Sequence, residues 1–312
     1  MITRTQNKIA QSRWALPWTS FYAALVCLLA GLVTGLQWQQ LTLLALSTLF
    51  IAELNNAFSL IRIYSRMVSC SFLVMTTMSV FLLENAQAEA IQLGMIVFYL
   101  YLFKAYQNQN ASSEVFTAFF AIGMISLLFV QILFFVPMLW IFLAFNILAF
   151  TPRTFIASLL GVATPYWFAC AYYLYVGHIA YIPQHLAELG NFAMPFQLNL
   201  VDAPRLITAA FILVLAFIGI GYFMVFSNLD KIRTRMIYEV FITMDALCFV
   251  FILLQPQHFD YLLSIAIVTT APLIGHYLGL SHTKISNICF WILILLALLL
   301  TGYNLWISST IF

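Results

Sequence analysis

Charged residues are scarce in this chain. Asp, Glu, Lys and Arg make up 7% of its 312 residues, where an ordinary soluble domain carries about 25%. No basic patch holds more than three residues, and the formal net charge is +2. That excludes the dense phosphate-facing stripe that nucleic-acid binding requires, so no nucleic-acid partner is expected. Cysteine is also sparse: Cys27, Cys70, Cys170, Cys248 and Cys289 all lie in apolar runs, with no CxxC spacing. They read as small apolar residues buried in helices, which leaves no thiolate zinc site or redox pair. HExxH, Walker-type, GxSxG and GxGxxG patterns are absent as well, removing the common routes to metal, phosphate, acyl and dinucleotide chemistry. His178 and His185 are separated by Pro183 and do not make a metal site. No cofactor and no metal are expected.

Apolar residues fill the space that charge leaves. The chain is 64% hydrophobic, with a mean hydropathy of +1.02. A soluble fold cannot hide that much apolar surface, whereas lipid solvates it. A bilayer core about 30 Å thick needs about 20 apolar helical residues. The runs of such residues are 15–36, 41–58, 67–83, 89–106, 115–129, 131–150, 154–177, 205–226, 236–254, 260–280 and 287–308. No strand-type alternation persists, so the expected class is all-α, a polytopic integral membrane protein of about eleven transmembrane helices. Arg4, Lys8 and Arg13 precede the first run in the manner of a signal peptide. The run is of spanning length without a small-x-small cleavage site, so it reads as a retained first helix.

Residues 115–150 are interrupted only by Gln131 and Pro137. One helix of that length would extend roughly 54 Å, nearly twice the core thickness. Two short helices, or a re-entrant hairpin breaking near 129–131, fit better. Charge sidedness supports counting two. With eleven spans, Arg4, Lys8, Arg13, Arg62, Arg66, Lys104, Arg153, Lys231, Arg233, Arg235 and Lys284 fall on one side, and only Arg205 on the other. Basic residues accumulate in cytoplasmic loops, which puts the N-terminus in the cytoplasm and the C-terminus in the periplasm of a bacterial inner membrane. Arg62, Arg66, Arg153, Lys231, Arg233 and Arg235 then act as topology anchors. The longest outward connector, 178–204, divides the chain into a seven-helix region, 1–177, and a four-helix region, 205–312. Within it, IPQHLAELGNF has the pattern of a short interfacial helix.

Ionisable groups inside a span are costly and point to function. Asp245 sits near mid-span in MIYEVFITMDALCFVF; Glu239 lies a turn inside the membrane face, and His276 is at matching depth as a possible partner. They make either a transport site or a structural lock. The 178–204 connector and its border offer His185, Glu188, Asp202 and Arg205. These are the residue types with which an outward-facing enzyme would hold a phosphate and deprotonate an acceptor. The densest polar stretch of all is ELNNAFSLIRIYSR, 53–66. Sidedness makes it the cytoplasmic end of two spans, and an anchor rather than a catalytic centre.

FTAFFAIGMISLLFVQILFFVPMLWIFLAF, then TPRTFIASLLGVATPYWF, together with NNAFSLIRIYSR and APLIGHYLGLSHTKISNICFW, resemble an uncharacterised family of Bacteroidota polytopic membrane proteins, a domain of unknown function. The matches extend over most of the chain. A more distant resemblance is to the membrane core of GT-C glycosyltransferases, in which a glycine-bearing short helix and a Pro-bearing helix precede a basic turn, as Gly123, Pro137 and Arg153 do here. That resemblance implies a GT-C-like core in 1–177 and a polyprenyl-phosphate-linked glycan as partner. The first outward connector, QWQQ, carries no carboxylate, so a shared catalytic apparatus is either missing or moved to 178–205. The expected role is in cell-envelope biogenesis, handling a lipid-linked glycoconjugate without a demonstrated need for catalysis. Alternatives are a glycosyltransferase acting at the periplasmic face through Arg205 with Asp202, Glu188 or His185, a transporter built on Asp245, and a non-catalytic assembly subunit of an envelope complex.

Overall fold

A computed structural model describes residues 4–178, 180–192 and 194–311; Ile179 and Ala193 of the 178–204 connector lie outside the described residues. Among the described residues every regular element is a helix. In chain order these are α1 (Thr5–Ala10), α2 (Ala15–Leu29), α3 (Trp38–Phe58), α4 (Met67–Met78), α5 (Val80–Leu83), α6 (Ala86–Lys104), α7 (Ser112–Ser126), α8 (Val136–Phe145), α9 (Pro152–Val176), α10 (Tyr181–Ala187), α11 (Ala203–Phe226), α12 (Ile232–Leu254), α13 (Phe259–Leu280) and α14 (Lys284–Ile311). Seven are long and apolar enough to cross a membrane: Trp38–Phe58, Ala86–Lys104, Pro152–Val176, Ala203–Leu229, Ile232–Leu254, Pro256–Leu280 and Lys284–Ser308. The other four apolar segments are shorter helices, Ala15–Leu29, Met67–Met78, Ser112–Ser126 and Val130–Phe145. That content fits a multi-pass membrane protein.

Local chemistry sets where the helices begin and stop. The Asn85 side chain accepts from Gln87 N and Ala88 N at 3.1 and 3.3 Å, starting α6. Thr151 and Thr154 form a reciprocal cap ahead of Pro152, which starts α9. The first apolar run is helical only to Leu29 rather than to 36. Gly31 takes φ +77° and Leu32 N donates to Cys27 O, a left-handed stop.

By contacts the chain forms two compact units, Met1–Gln92 with Phe196–Phe312, and Leu93–Pro195. The cut therefore falls inside α6 and within the 178–204 connector, a different division from that at 177 and 205.

In the larger unit α13 is the central post, buried over 89% of its membrane-length window. It packs against α4, α11 and α12. Small residues allow the close approaches: a Cβ on Gly219 would lie 2.6 Å from the Leu273 carbonyl carbon, and one on Gly275 would lie 2.9 Å from Val68 Cα. Buried polar groups tie the remaining helices in. Asn304 on α14 donates to Met78 O at 2.7 Å and to Thr208 Oγ1 at 3.0 Å.

In the smaller unit α7 and α9 are the tightest pair, with Gly123 against Val162 O and Gly161 against Phe116 O. The expected break in 115–150 is present. α7 ends at Ser126, Phe129 is extended, and a 3-10 turn (Val130–Phe135) leads into α8. Gln107 N donates to Ile147 O at 2.8 Å, so the two segments return to the level at which they began. The short helix expected in IPQHLAELGNF is present as α10 followed by a 3-10 turn, Glu188–Gly190.

Candidate functional site

The site lies at the end of the larger unit that gathers the N-terminal segment, residues 59–66, residues 227–235 and the α13–α14 turn. α1 is strapped across that turn. Gln6 Nε2 donates to Leu278 O and Ser281 Oγ at 3.0 and 2.8 Å, Asn7 Nδ2 donates to Ser281 O at 2.9 Å, and Arg4 donates to His282 O at 2.6 Å. These side chains satisfy carbonyls that the end of α13 leaves without an intrahelical donor. The strap fixes Gln11–Trp14, the segment on which the site is built.

From Trp14 an apolar cavity of about 480 Å³ runs along α4. Its floor is Met67, Cys70, Ser71, Val74, Met75 and Met78, a length of about 16 Å at helical rise. Phe211 and Leu215 of α11, and Phe290, Leu293 and Ile294 of α14, form walls. Trp14 and Trp18, each 69% exposed, stand at the mouth, the amphipathic position Trp takes at a membrane surface. Three methionines along the floor give the wall adjustable shape.

Ser12 and Trp14 line this groove, while Gln11 and Arg13 line a second cavity of about 540 Å³ with Ile63 and Tyr64. Ile63 and Tyr64 in turn line a third, polar cavity of about 420 Å³ between Asn55–Ser65 and Leu229–Thr234. The stretch that reads as a topology anchor thus forms one wall of a pocket whose other wall lies about 170 residues further along the chain. α3 stops at Ser59, which takes φ 49°, and Asn55 Nδ2 donates to Ser65 O at 2.9 Å, closing the 55–65 loop. Asn55 Oδ1 is buried without a hydrogen-bond partner. Arg66 reaches Asn56 Oδ1 at 3.3 Å and lies over the Tyr64 ring at 5.6 Å. Arg62 donates to Leu229 O at 3.5 Å, bridging the two walls.

Beneath the pocket, Asp230 Oδ2 accepts from His276 Nε2 at 2.9 Å, with side-chain exposures of 2% and 1%. The ring is boxed by Tyr222, Phe223 and Tyr238 at 5.8, 5.7 and 4.9 Å. Tyr238 Oη donates toward Leu60 O and Pro272 O, each at 3.3 Å. His276 therefore pairs with Asp230 and not with Glu239, which is exposed on α12. The reason is local: the 227–231 turn folds Asp230 back over α13 before α12 begins.

The other sequence-derived candidates are placed as follows. Asp245 is buried, and its Oδ1 accepts from Thr269 and Thr270 at 2.8 and 2.7 Å. It joins α12 to α13 and lines none of the cavities above. Arg205 is held by two carboxylates, Asp260 through Nε and Nη2 at 3.0 and 3.3 Å, and Asp202 through Nη1. It also lies 5.1 Å over the Phe81 ring. A phosphate would have to displace both acids. His185 and Glu188 belong to the smaller unit, whereas Asp202 and Arg205 belong to the larger. His185 Nε2 lies 2.9 Å from Ser126 O, with Tyr166 Oη donating to the same carbonyl at 3.3 Å, so the histidine caps the end of α7. Glu188 sits 3.6 Å from His185 Nδ1, and its carbonyl accepts from Gln131. Of the basic anchors, Arg62 and Lys231 line the polar cavity, Arg233 lies over Phe58 at 5.0 Å, and Arg153 and Arg235 lie in the first turns of α9 and α12.

The sequence reading gives no role to Asp260, which pairs with Arg205, to Asp230, between the runs 205–226 and 236–254, or to Glu89, the first residue of the run 89–106. Glu89 is buried in the first turn of α6 with neither oxygen hydrogen-bonded. Its helical spacing from Gln92, also buried with an unpaired Nε2, was the available signal. Among the described residues no group of three or more His, Cys, Asp or Glu side chains is arranged to hold a metal ion. No protein-family model matches the chain, and no curated protein and no solved structure matches it either.

Proposed function

We propose that this protein is an eleven-span bacterial inner-membrane protein, N-terminus in the cytoplasm and C-terminus in the periplasm, that binds an anionic lipid during cell-envelope biogenesis. The apolar groove along α4 holds the hydrocarbon chain, and the basic end of the larger unit holds the headgroup. The observation that carries this reading is that the Gln11–Trp14 segment borders both the groove and a cavity lined by Arg13, which shares Ile63 and Tyr64 with the polar cavity lined by Arg62 and Lys231. A long apolar slot next to uncompensated cations complements a lipid phosphate and little else. The same end collects nine of the unit's basic residues in sequence terms, which supports its cytoplasmic placement.

The lipid class we favour is a polyprenyl-phosphate-linked glycan, in keeping with the resemblance to a GT-C-like core. Handling is by binding or presentation. The periplasmic set of Arg205, Asp202, Glu188 and His185 is a weaker candidate for chemistry, because Arg205 is neutralised and His185 is engaged as a cap. The buried Asp245, held by two hydroxyls from the neighbouring helix, favours a lock over a transport site.

The test is lipid analysis of the full chain purified from bacterial membranes. Wild-type protein should retain an isoprenoid or other anionic lipid after delipidating washes, and Ser71→Trp or Met75→Trp, which fill the groove, should lose it. Equal retention by both variants would refute the reading. Cysteine accessibility at positions 62 and 257 from opposite sides of the membrane tests the orientation.

A further inference from the structure

The polar cavity between Asn55–Ser65 and Leu229–Thr234 has features that chain binding in the groove does not use. Asn55 lies 93% buried, since its exposure is 7%. Asn55 is on the cavity lining; its Nδ2 is committed to Ser65 O, and its Oδ1 is buried without a partner. A buried carbonyl oxygen left unmade is costly, so a site that keeps one is arranged to receive a donor. Arg62 and Lys231 line the same cavity, and neither is in an ion pair among the described residues. The acid on the lining, Asp230, is 2% exposed and bonds His276 through Oδ2, so it presents little carboxylate surface to the cavity. Lys231 is also the residue before α12, a helix of 23 residues with no acidic residue in its first turn. The free N–H groups of that helix start add an anion-favouring field at the cavity wall.

We propose that this cavity is a binding site for a phosphate ester of a polyol. Arg62, Lys231 and the start of α12 hold the phosphate, and Asn55 Oδ1 accepts a hydrogen bond from a hydroxyl of the ester. A volume of about 420 Å³ is within the roughly 300–1,000 Å³ of small-molecule sites. The ester can be free or the headgroup of a lipid. The site stands on its own residues whether or not the groove holds a chain.

The experiment is calorimetry on the full chain in nanodiscs of zwitterionic lipid, with glucose 1-phosphate, glucose, inorganic phosphate and glucosyl farnesyl phosphate as separate probes. Glucose 1-phosphate should bind saturably and at least tenfold more tightly than inorganic phosphate or glucose. Lys231→Gln, at an exposed position that folding does not need, should weaken it about fivefold to tenfold. Asn55→Ala should abolish the preference over inorganic phosphate. Binding of glucosyl farnesyl phosphate alone, still lowered by Lys231→Gln, would support the site and identify the source as a lipid headgroup. Ser71→Trp should leave glucose 1-phosphate binding unchanged, which separates this site from the groove. No saturable binding of either ester, or affinities indifferent to Lys231→Gln, would overturn the proposal.

Discussion

The two polar ends of the larger unit treat charge in opposite ways. At one end Arg205 is clamped between Asp202 and Asp260 and stacked on Phe81; Glu84 is bonded to Ser308 and Gln87 to Tyr261. At the other, Arg13, Arg62 and Lys231 border cavities, with no carboxylate in an ion pair with any of them among the described residues. A small cavity of about 260 Å³ lies beside Arg205 too, but its cation is outnumbered by two carboxylates. An ion pair holds helices together, whereas a cation left facing a cavity can hold an anion. The first end is therefore read as structural and the second as a site.

The largest expected break in that contrast lies under the site. Asp230→Ala leaves His276 buried without its carboxylate, and should lower stability by about 2–3 kcal/mol. Asp230→Asn, which keeps a hydrogen-bonding group, should recover part of it; unfolding in mixed micelles reads both. Next, Arg205→Ala leaves Asp202 and Asp260 uncompensated at the opposite end. The cost should be about 1–2 kcal/mol, limited by the partial exposure of all three side chains. Adding Asp202→Asn and Asp260→Asn should return most of the loss if the role is purely structural. Smallest is Lys231→Gln, expected to stay within about 0.5 kcal/mol of wild-type stability while weakening phosphate-ester binding. That pairing of outcomes, stability moved at one end and affinity at the other, would sharpen the comparison most.

Much of the helical frame was legible because its cause is local. Spanning length and the implausible length of 115–150 are read directly along the chain, whereas the Asn85 start of α6 and the Thr151–Pro152 start of α9, equally local, lie ahead of runs read as beginning at 89 and 154. The first run was overextended to 36 because Gly31 stops a helix through its backbone, inside an otherwise apolar stretch. The site was less legible. ELNNAFSLIRIYSR stood out by composition, but its meaning depends on Leu229–Thr234, brought alongside only by the packing of α13 with α4 and α12. The same long-range step gives His276 the acid Asp230 as its partner, and engages His185 with Ser126 O. Residue type showed these groups to be expensive to bury. Which group each one meets is decided by tertiary contacts.

The groove reading is tested most directly by photocrosslinking a diazirine-bearing polyprenyl phosphate to the full chain in nanodiscs and mapping the adducts. Label should concentrate on Val74, Met75 and Met78 and be competed away by unlabelled polyprenyl phosphate. Equal, uncompeted labelling of the exposed Phe217 and Met224 on α11 would show only bilayer contact and contradict a bound-lipid site.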